Sequence, residues 1–175
     1  MNYATIKWTD IANGEGVRIS LFVSGCTHHC KNCFNQVAWD FNYGEYFDEE
    51  TQEKILRELN SSFISGISLL GGEPLEPENQ KALYPFVQKV KEKYPQKSIW
   101  CYTGFLFDEQ AGALKEVQKN TGITKDLIKC FDVLVDGPFI EEQKNIRLKF
   151  RGSENQRIID VQKTLATGDC VLYME

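Results

Sequence analysis

A chain of 175 residues, 42% hydrophobic and 12% aromatic, is long enough for one domain with its own core and too ordinary in composition to be disordered or fibrous. A net charge of −5 with no basic tract argues against a nucleic-acid or anionic-membrane partner. The N-terminus has no apolar leader and no run approaches a membrane span, so we expect a soluble cytoplasmic protein whose six cysteines stay reduced.

In chain order, residues 1–16 lead to a glycine-rich turn, Asn13-Gly14-Glu15-Gly16, with Glu15 exposed. Val17, Ile19, Leu21 and Val23 then alternate with Arg18, Ser20 and Phe22, and that period of two predicts a strand. It runs straight into Gly25-Cys26-Thr27-His28-His29-Cys30-Lys31-Asn32-Cys33-Phe34. Three cysteines spaced C-x3-C-x2-C cannot all pair with each other in unstrained disulfides, and in a reducing compartment they read as ligands of one inorganic centre. Residues 37–47 are aromatic and irregular, a loop laid on the core. Asp48 has the character of an N-cap, with Glu49 and Glu50 in the first turn, for a helix whose buried stripe is Ile55, Leu56, Leu59 and Phe63.

The unit repeats. Ile67 to Leu70 is a short apolar strand ending in Gly71-Gly72-Glu73-Pro74, followed by a helix with Leu83, Phe86, Val87, Val90 and Tyr94 on one face and Pro95 as its stop. Ser98 to Tyr102 is the next strand, closing at Thr103-Gly104, and Asp108 is predicted to cap a helix carrying Leu114 and Val117. Phe131 to Val135 forms another strand, closing at Asp136-Gly137-Pro138. Gln156 to Val161 and Asp169 to Tyr173 are the last strands, a terminal hairpin. Cys101, Cys130 and Cys170 are scattered in apolar surroundings and read as buried small hydrophobes.

Strands alternating with helices predict an α/β fold, a single domain over residues 1–175 with a mostly parallel sheet. Four or five units are too few for a closed eight-stranded barrel, so the architecture expected is an open partial (βα) barrel. The cysteine loop, Gly-Gly-Glu-Pro, Thr-Gly and Asp-Gly-Pro each fall just past the C-terminal end of a successive strand, the edge where parallel sheets bind ligands. Two centres compete for the cysteines. A structural zinc wants a fourth ligand, from His28, His29 or a distant cysteine. An iron–sulfur cluster held by three thiolates keeps one iron open to a substrate. His28 and His29 are expected beside the site or facing solvent rather than as ligands. Glu73, between two glycines and a helix start, can accept a hydrogen bond from an ammonium group.

The cysteine spacing resembles that of the radical S-adenosylmethionine (SAM) superfamily, and Gly71-Gly72-Glu73 resembles its GGE motif. The resemblance implies a [4Fe–4S] cluster on Cys26, Cys30 and Cys33, with SAM on the fourth iron and its amino group at Gly71, Gly72 and Glu73. It also implies that Asn32, Cys33 and Phe34 meet the adenine, largely through the backbone. Thr103 and Asp136 resemble strand-end oxygens that hold a monovalent cation beside SAM in some activases. Asn13 to Arg18, Val135 to Phe139 and Arg151-Gly152-Ser153-Glu154-Asn155-Gln156-Arg157 resemble the activating proteins of the anaerobic (class III) ribonucleotide reductase, a likeness running from about residue 5 to Asp160.

That family implies a radical SAM enzyme that generates a glycyl radical on the large reductase subunit, fed by an external one-electron reductant such as flavodoxin or ferredoxin. Arg151, Asn155 and Arg157 would then face the glycine loop of the partner, unless Arg157 pairs with a neighbouring acid and holds its strand. The rival readings are a pyruvate formate-lyase-type activase, a 7-carboxy-7-deazaguanine synthase, a zinc-stabilised interaction module and a ferredoxin-like electron carrier.

Overall fold

The computed structural model describes residues 1–174 of the chain. The strands are β1 (Asn2–Asp10), β2 (Val17–Val23), β3 (Glu45–Tyr46), β4 (Ile64–Gly71), β5 (Ser98–Tyr102), β6 (Phe107–Asp108), β7 (Ala113–Leu114), β8 (Val133–Asp136), β9 (Arg157–Asp160) and β10 (Leu172–Met174). The helices are α1 (Glu49–Leu59), α2 (Pro77–Lys93), α3 (Thr124–Lys129) and α4 (Val161–Thr167). Among the described residues, none of these is long and apolar enough to cross a membrane.

Eight strands make one sheet in the order β10-β9-β8-β5-β4-β2-β1-β3. The centre, β2-β4-β5-β8, is parallel, as the alternation of strands and helices predicts. Both flanks are antiparallel, so the sheet is mixed around its parallel centre. One face carries Ile19, Leu21, Val23, Ile67, Leu69, Ile99, Cys101 and Leu134 against the apolar stripes of α1, α2 and α3. The other face carries Trp100, Val133, Val135 and Ile158, covered by Phe150 and Met174. Burial on both faces is why the central strands read as apolar runs.

Arg18 lies on this second face, fully buried. Its five N–H donors meet five acceptors: Ser68 Oγ, the Glu15 carbonyl, Ser98 Oγ, and the carbonyls of Ile67 and Ser98. Glu15 is engaged by the Tyr173 hydroxyl at 2.6 Å. The Asn13–Arg18 segment therefore locks the N-terminal ends of the parallel strands, opposite the cysteine loop.

The helix starts follow their caps. Asp48 accepts from Thr51 N–H at 2.8 Å and begins α1 as expected. α2 begins with a proline at its first position and ends before Pro95; its internal Pro85 lies on the exposed face.

Four expectations are corrected. β1 forms within residues 1–16, where the sequence reading had only a turn. Phe63 lies beyond the end of α1 and is exposed. Asp108 caps a turn rather than a helix, accepting from the N–H groups of Gln110 and Ala111, and Gly112 at φ +62° closes a β6–β7 hairpin. The last two strands pair, but α4 joins them, capped by Asp160 and closed by Gly168 in the left-handed region.

Candidate functional site

β2 and β4 end in register, Val23 beside Gly71. Beyond that point Gly72 N–H donates to the Val23 carbonyl at 2.7 Å, and Glu73 N–H to the Gly25 carbonyl at 2.8 Å. The Gly-Gly-Glu segment is thus stitched by its backbone to the first residues of the cysteine loop. No side chain fits there. A Cβ on Gly72 would stand 2.6 Å from the Gly25 carbonyl oxygen and 3.0 Å from that of Ala38, and Gly71 has φ +107°.

Two buried carboxylates hold the loop from this side. Glu73, 1% exposed, accepts from Leu75 N–H (2.8 Å) and the Thr103 hydroxyl (2.8 Å) on Oε1. On Oε2 it accepts from His28 Nε2 (2.7 Å) and Gly104 N–H (2.8 Å). Glu76, 2% exposed, accepts from the Thr27 N–H at 3.0 Å and the Thr27 hydroxyl, and pairs with Lys119 at 2.8 Å. Burial works to raise its carboxyl, but the bonds from Lys119 and Thr27 outweigh that and hold it below the usual range. Asn79 completes the grip, donating to the carbonyls of Ser24 (3.0 Å) and Glu73 (2.9 Å). The start of α2 therefore fixes the residues on either side of Cys26.

The loop itself turns through left-handed residues at His29 (φ +50°) and Asn32 (φ +58°), with Cys33 N–H bonded to the Cys30 carbonyl at 3.1 Å. His29 stacks on Trp39 at 4.5 Å, and Phe34 is 90% exposed. Cys26 is buried, while Cys30 and Cys33 are half-buried. Among the described residues, no three His, Cys, Asp or Glu side chains converge on a point for a single metal ion. A four-iron cluster takes one thiolate per iron, so its sulfurs stand around it instead of meeting at a point.

The donor set fits such a cluster. Burial pushes the Cys26 thiol up to about 12, and the negative charge of Glu73 adds to the effect although the backbone N–H groups of His28 and His29 face the sulfur. A thiolate in that place needs a positive centre beside it. Burial raises Cys30 as well, where the Phe139 N–H faces the sulfur.

The chain matches the 4Fe-4S single cluster domain family over residues 12–159. It is 45% identical over 160 residues to the anaerobic ribonucleoside-triphosphate reductase-activating protein of Haemophilus influenzae, covering 90% of this chain and 97% of that protein. The protein of that name in Escherichia coli K12 is 41% identical over 158 residues (89% and 96%), and that of phage T4 is 36% identical over 160 (90% and 93%). The chain belongs to the anaerobic ribonucleoside-triphosphate reductase-activating protein family.

For this activating-protein family member, several expected site residues take other places. Thr103 and Asp136 reach the same sheet edge but turn to different partners. The Thr103 hydroxyl serves Glu73, whereas fully buried Asp136 accepts from Phe107 N–H (2.8 Å) and, on both oxygens, from Arg157. Arg157 also pairs with Glu109. It is thus the strut of its strand and not a free docking residue, and its guanidinium stands where a cation on Asp136 would. Arg151 braces the Gln156 carbonyl at 2.7 Å, and Asn155 donates to the Pro138 carbonyl at 2.8 Å. Cys101 is buried as expected, Cys130 is half-buried, and Cys170 is exposed near Arg157.

Sequence reasoning missed Thr27, Glu76 and Lys119; it placed His28 beside the site but did not name its partner, Glu73. The available signal was Glu76 itself, an acid one helical turn after Glu73 at the start of α2. Lys119 gave none, since it arrives from 43 residues away.

Proposed function

We propose that this protein activates an anaerobic ribonucleoside-triphosphate reductase as a radical SAM enzyme, within a sheet that curls as an open partial barrel. The observation that carries the reading is the junction of the two motifs. A three-cysteine loop fit for a cluster with one open iron lies hydrogen-bonded, backbone to backbone, against Gly72 and Glu73. Relatives named as activating proteins of that reductase, at 36–45% identity, supply the partner class.

Cys26, Cys30 and Cys33 hold the cluster in this proposal. When bound, it would supply one electron to SAM, whose cleavage yields methionine and a 5′-deoxyadenosyl radical that takes hydrogen from a glycine of the reductase. The chain's own work is positional. Gly71 and Gly72 let the strand end lie against the cysteine loop, which sets Glu73 beside the cluster, and Glu73 accepts the ammonium group of SAM. Asn32 and Cys33 offer main-chain groups to the adenine, with exposed Phe34 as a face for it. Glu76, through Thr27, keeps the loop in place. The cation role of Thr103 and Asp136 is set aside, because Glu73 and Arg157 occupy their oxygens. An external flavodoxin- or ferredoxin-type donor and a reducing cytoplasm complete the picture, with no nucleic-acid or membrane partner.

The test is anaerobic incubation of the iron- and sulfide-reconstituted protein with SAM, reductant and the large reductase subunit, followed by electron paramagnetic resonance. A glycyl-radical doublet that requires all four is expected. Protein that carries zinc and takes up no iron would end the proposal.

A further inference from the structure

Glu73 is already full. An ionised carboxylate offers about four acceptor positions, and Leu75 N–H, the Thr103 hydroxyl, His28 Nε2 and Gly104 N–H take them. An arriving ammonium group must therefore displace a donor. Three of the four are fixtures. Leu75 N–H is two residues along the same turn. Thr103 and Gly104 follow β5 directly, and there Thr103 N–H is tied to the Val135 carbonyl at 2.9 Å and the Thr103 hydroxyl also accepts from Phe105 N–H. Drawing any of these away would strand a buried polar group.

His28 differs. It comes from the cysteine loop, and its side chain keeps 17% of its surface in contact with solvent, so a displaced imidazole recovers its hydrogen bonds in water. Its present place is built for it. The ring lies 4.3 Å from that of Phe105 and directly over Gly104, where a Cβ would come within 2.7 Å of Nε2. We propose that His28 is an internal stand-in for the ammonium group of SAM, resting on Glu73 until the cofactor displaces it. The inference rests on the SAM reading of the site and adds to it. Because His28 lies between Cys26 and Cys30, occupancy of the amino-acid subsite is transmitted to the loop that holds the cluster.

The experiment uses the anaerobically reconstituted protein and measures affinity for SAM and for 5′-methylthioadenosine, which lacks the amino-acid portion. The change in the reduced cluster's paramagnetic resonance on adding SAM confirms where it binds. Removing the competitor in His28→Ala should tighten SAM binding about 10-fold or more, the factor that one charge-assisted hydrogen bond represents. His28→Leu, which keeps bulk against Phe105 but no donor, should tighten it likewise, and neither should alter affinity for 5′-methylthioadenosine. Unchanged or weaker SAM binding in both variants, equal gains for both ligands, or loss of iron from both would overturn the stand-in role while leaving the SAM reading intact. A wild-type protein that shows no response to SAM would overturn the SAM reading itself, and this inference with it.

Discussion

Arg157→Ala separates two readings of the polar segment before β9. Arg157 Nε donates to Asp136 Oδ1 at 2.9 Å, Nη2 to Oδ2, and Nη2 again to the Phe107 carbonyl at 3.2 Å. Asp136 is fully buried, and its remaining donor is the Phe107 N–H. Alanine would leave a buried carboxylate with one hydrogen bond, a loss of about 3–5 kcal/mol. The Glu109 arm, at the edge of the fold with both side chains partly exposed, adds at most about 1 kcal/mol. For a chain of this size 1 kcal/mol corresponds to roughly 2–4 °C, so the melting temperature should fall by about 6–20 °C. Glu109→Ala should shift it by only a few degrees. Asp136→Leu combined with Arg157→Met should recover much of the loss, since both charges leave together. The assay is thermal melting of each variant beside its yields of 5′-deoxyadenosine and of glycyl radical. If Arg157→Ala melts with the wild type and only the glycyl radical is lost, the strut argument fails and Arg157 is a docking residue.

Alanine at Cys26, Cys30 or Cys33 should each abolish iron binding, while Cys101→Ser keeps the iron and loses about 1–3 kcal/mol for a buried hydroxyl; metal analysis beside denaturant melts checks both. Gly72→Ala should cost iron and SAM binding together, because its Cβ would force the Gly-Gly-Glu segment off the Gly25 carbonyl, and wild-type iron content in that variant would refute the close approach. Asp10 gives a pH signature: burial opposes ionisation, but the bonds from Ser20, Asn13 and the Ala12 N–H prevail and hold its carboxyl below the ordinary value. A depressed folded value means stability that is present above the unfolded pKa of about 3.9 and lost as pH falls through the folded one. The stability gap between wild type and Asp10→Asn should therefore be flat above about pH 5 and shrink below pH 4.

What was legible in the sequence was what repeats or has a fixed local geometry. β2 has the bounds its alternation gave, β5 spans the residues expected of it, and the Asp48 cap and the α2 stripe stand where they were expected. β1 carries the same signal in weaker form, Ala4, Ile6 and Trp8 alternating with Thr5, Lys7 and Thr9, because its apolar side is only partly buried. Asp108 shows the limit of a cap signal. The same carboxylate that starts a helix also closes an Asx turn, and Gly112 four residues later decides for the turn. Pairing across the chain was not legible: nothing near Arg157 in sequence points to Asp136, 21 residues back, or to Glu109, 48 back. An arginine in a polar, turn-rich stretch reads as surface until its partner is known.

The same limit bears on what a glycine motif means. Gly71 and Gly72 attracted a reading in which the missing side chains make room for a ligand. Here the room is filled by the protein, since Gly72 lies against the carbonyls of Gly25 and Ala38 and its N–H extends the β2–β4 ladder. Any substitution at these glycines disturbs the cysteine loop before it disturbs a cofactor, so their loss of function cannot report on SAM. Glu73 is little better alone, because Glu73→Ala strands the Thr103 hydroxyl and two backbone N–H groups in the interior. His28 is the partner of Glu73 whose removal leaves the other three donors to that carboxylate in place. It is therefore the position from which the proposed contact of SAM with Glu73 can be tested separately from the assembly of the loop.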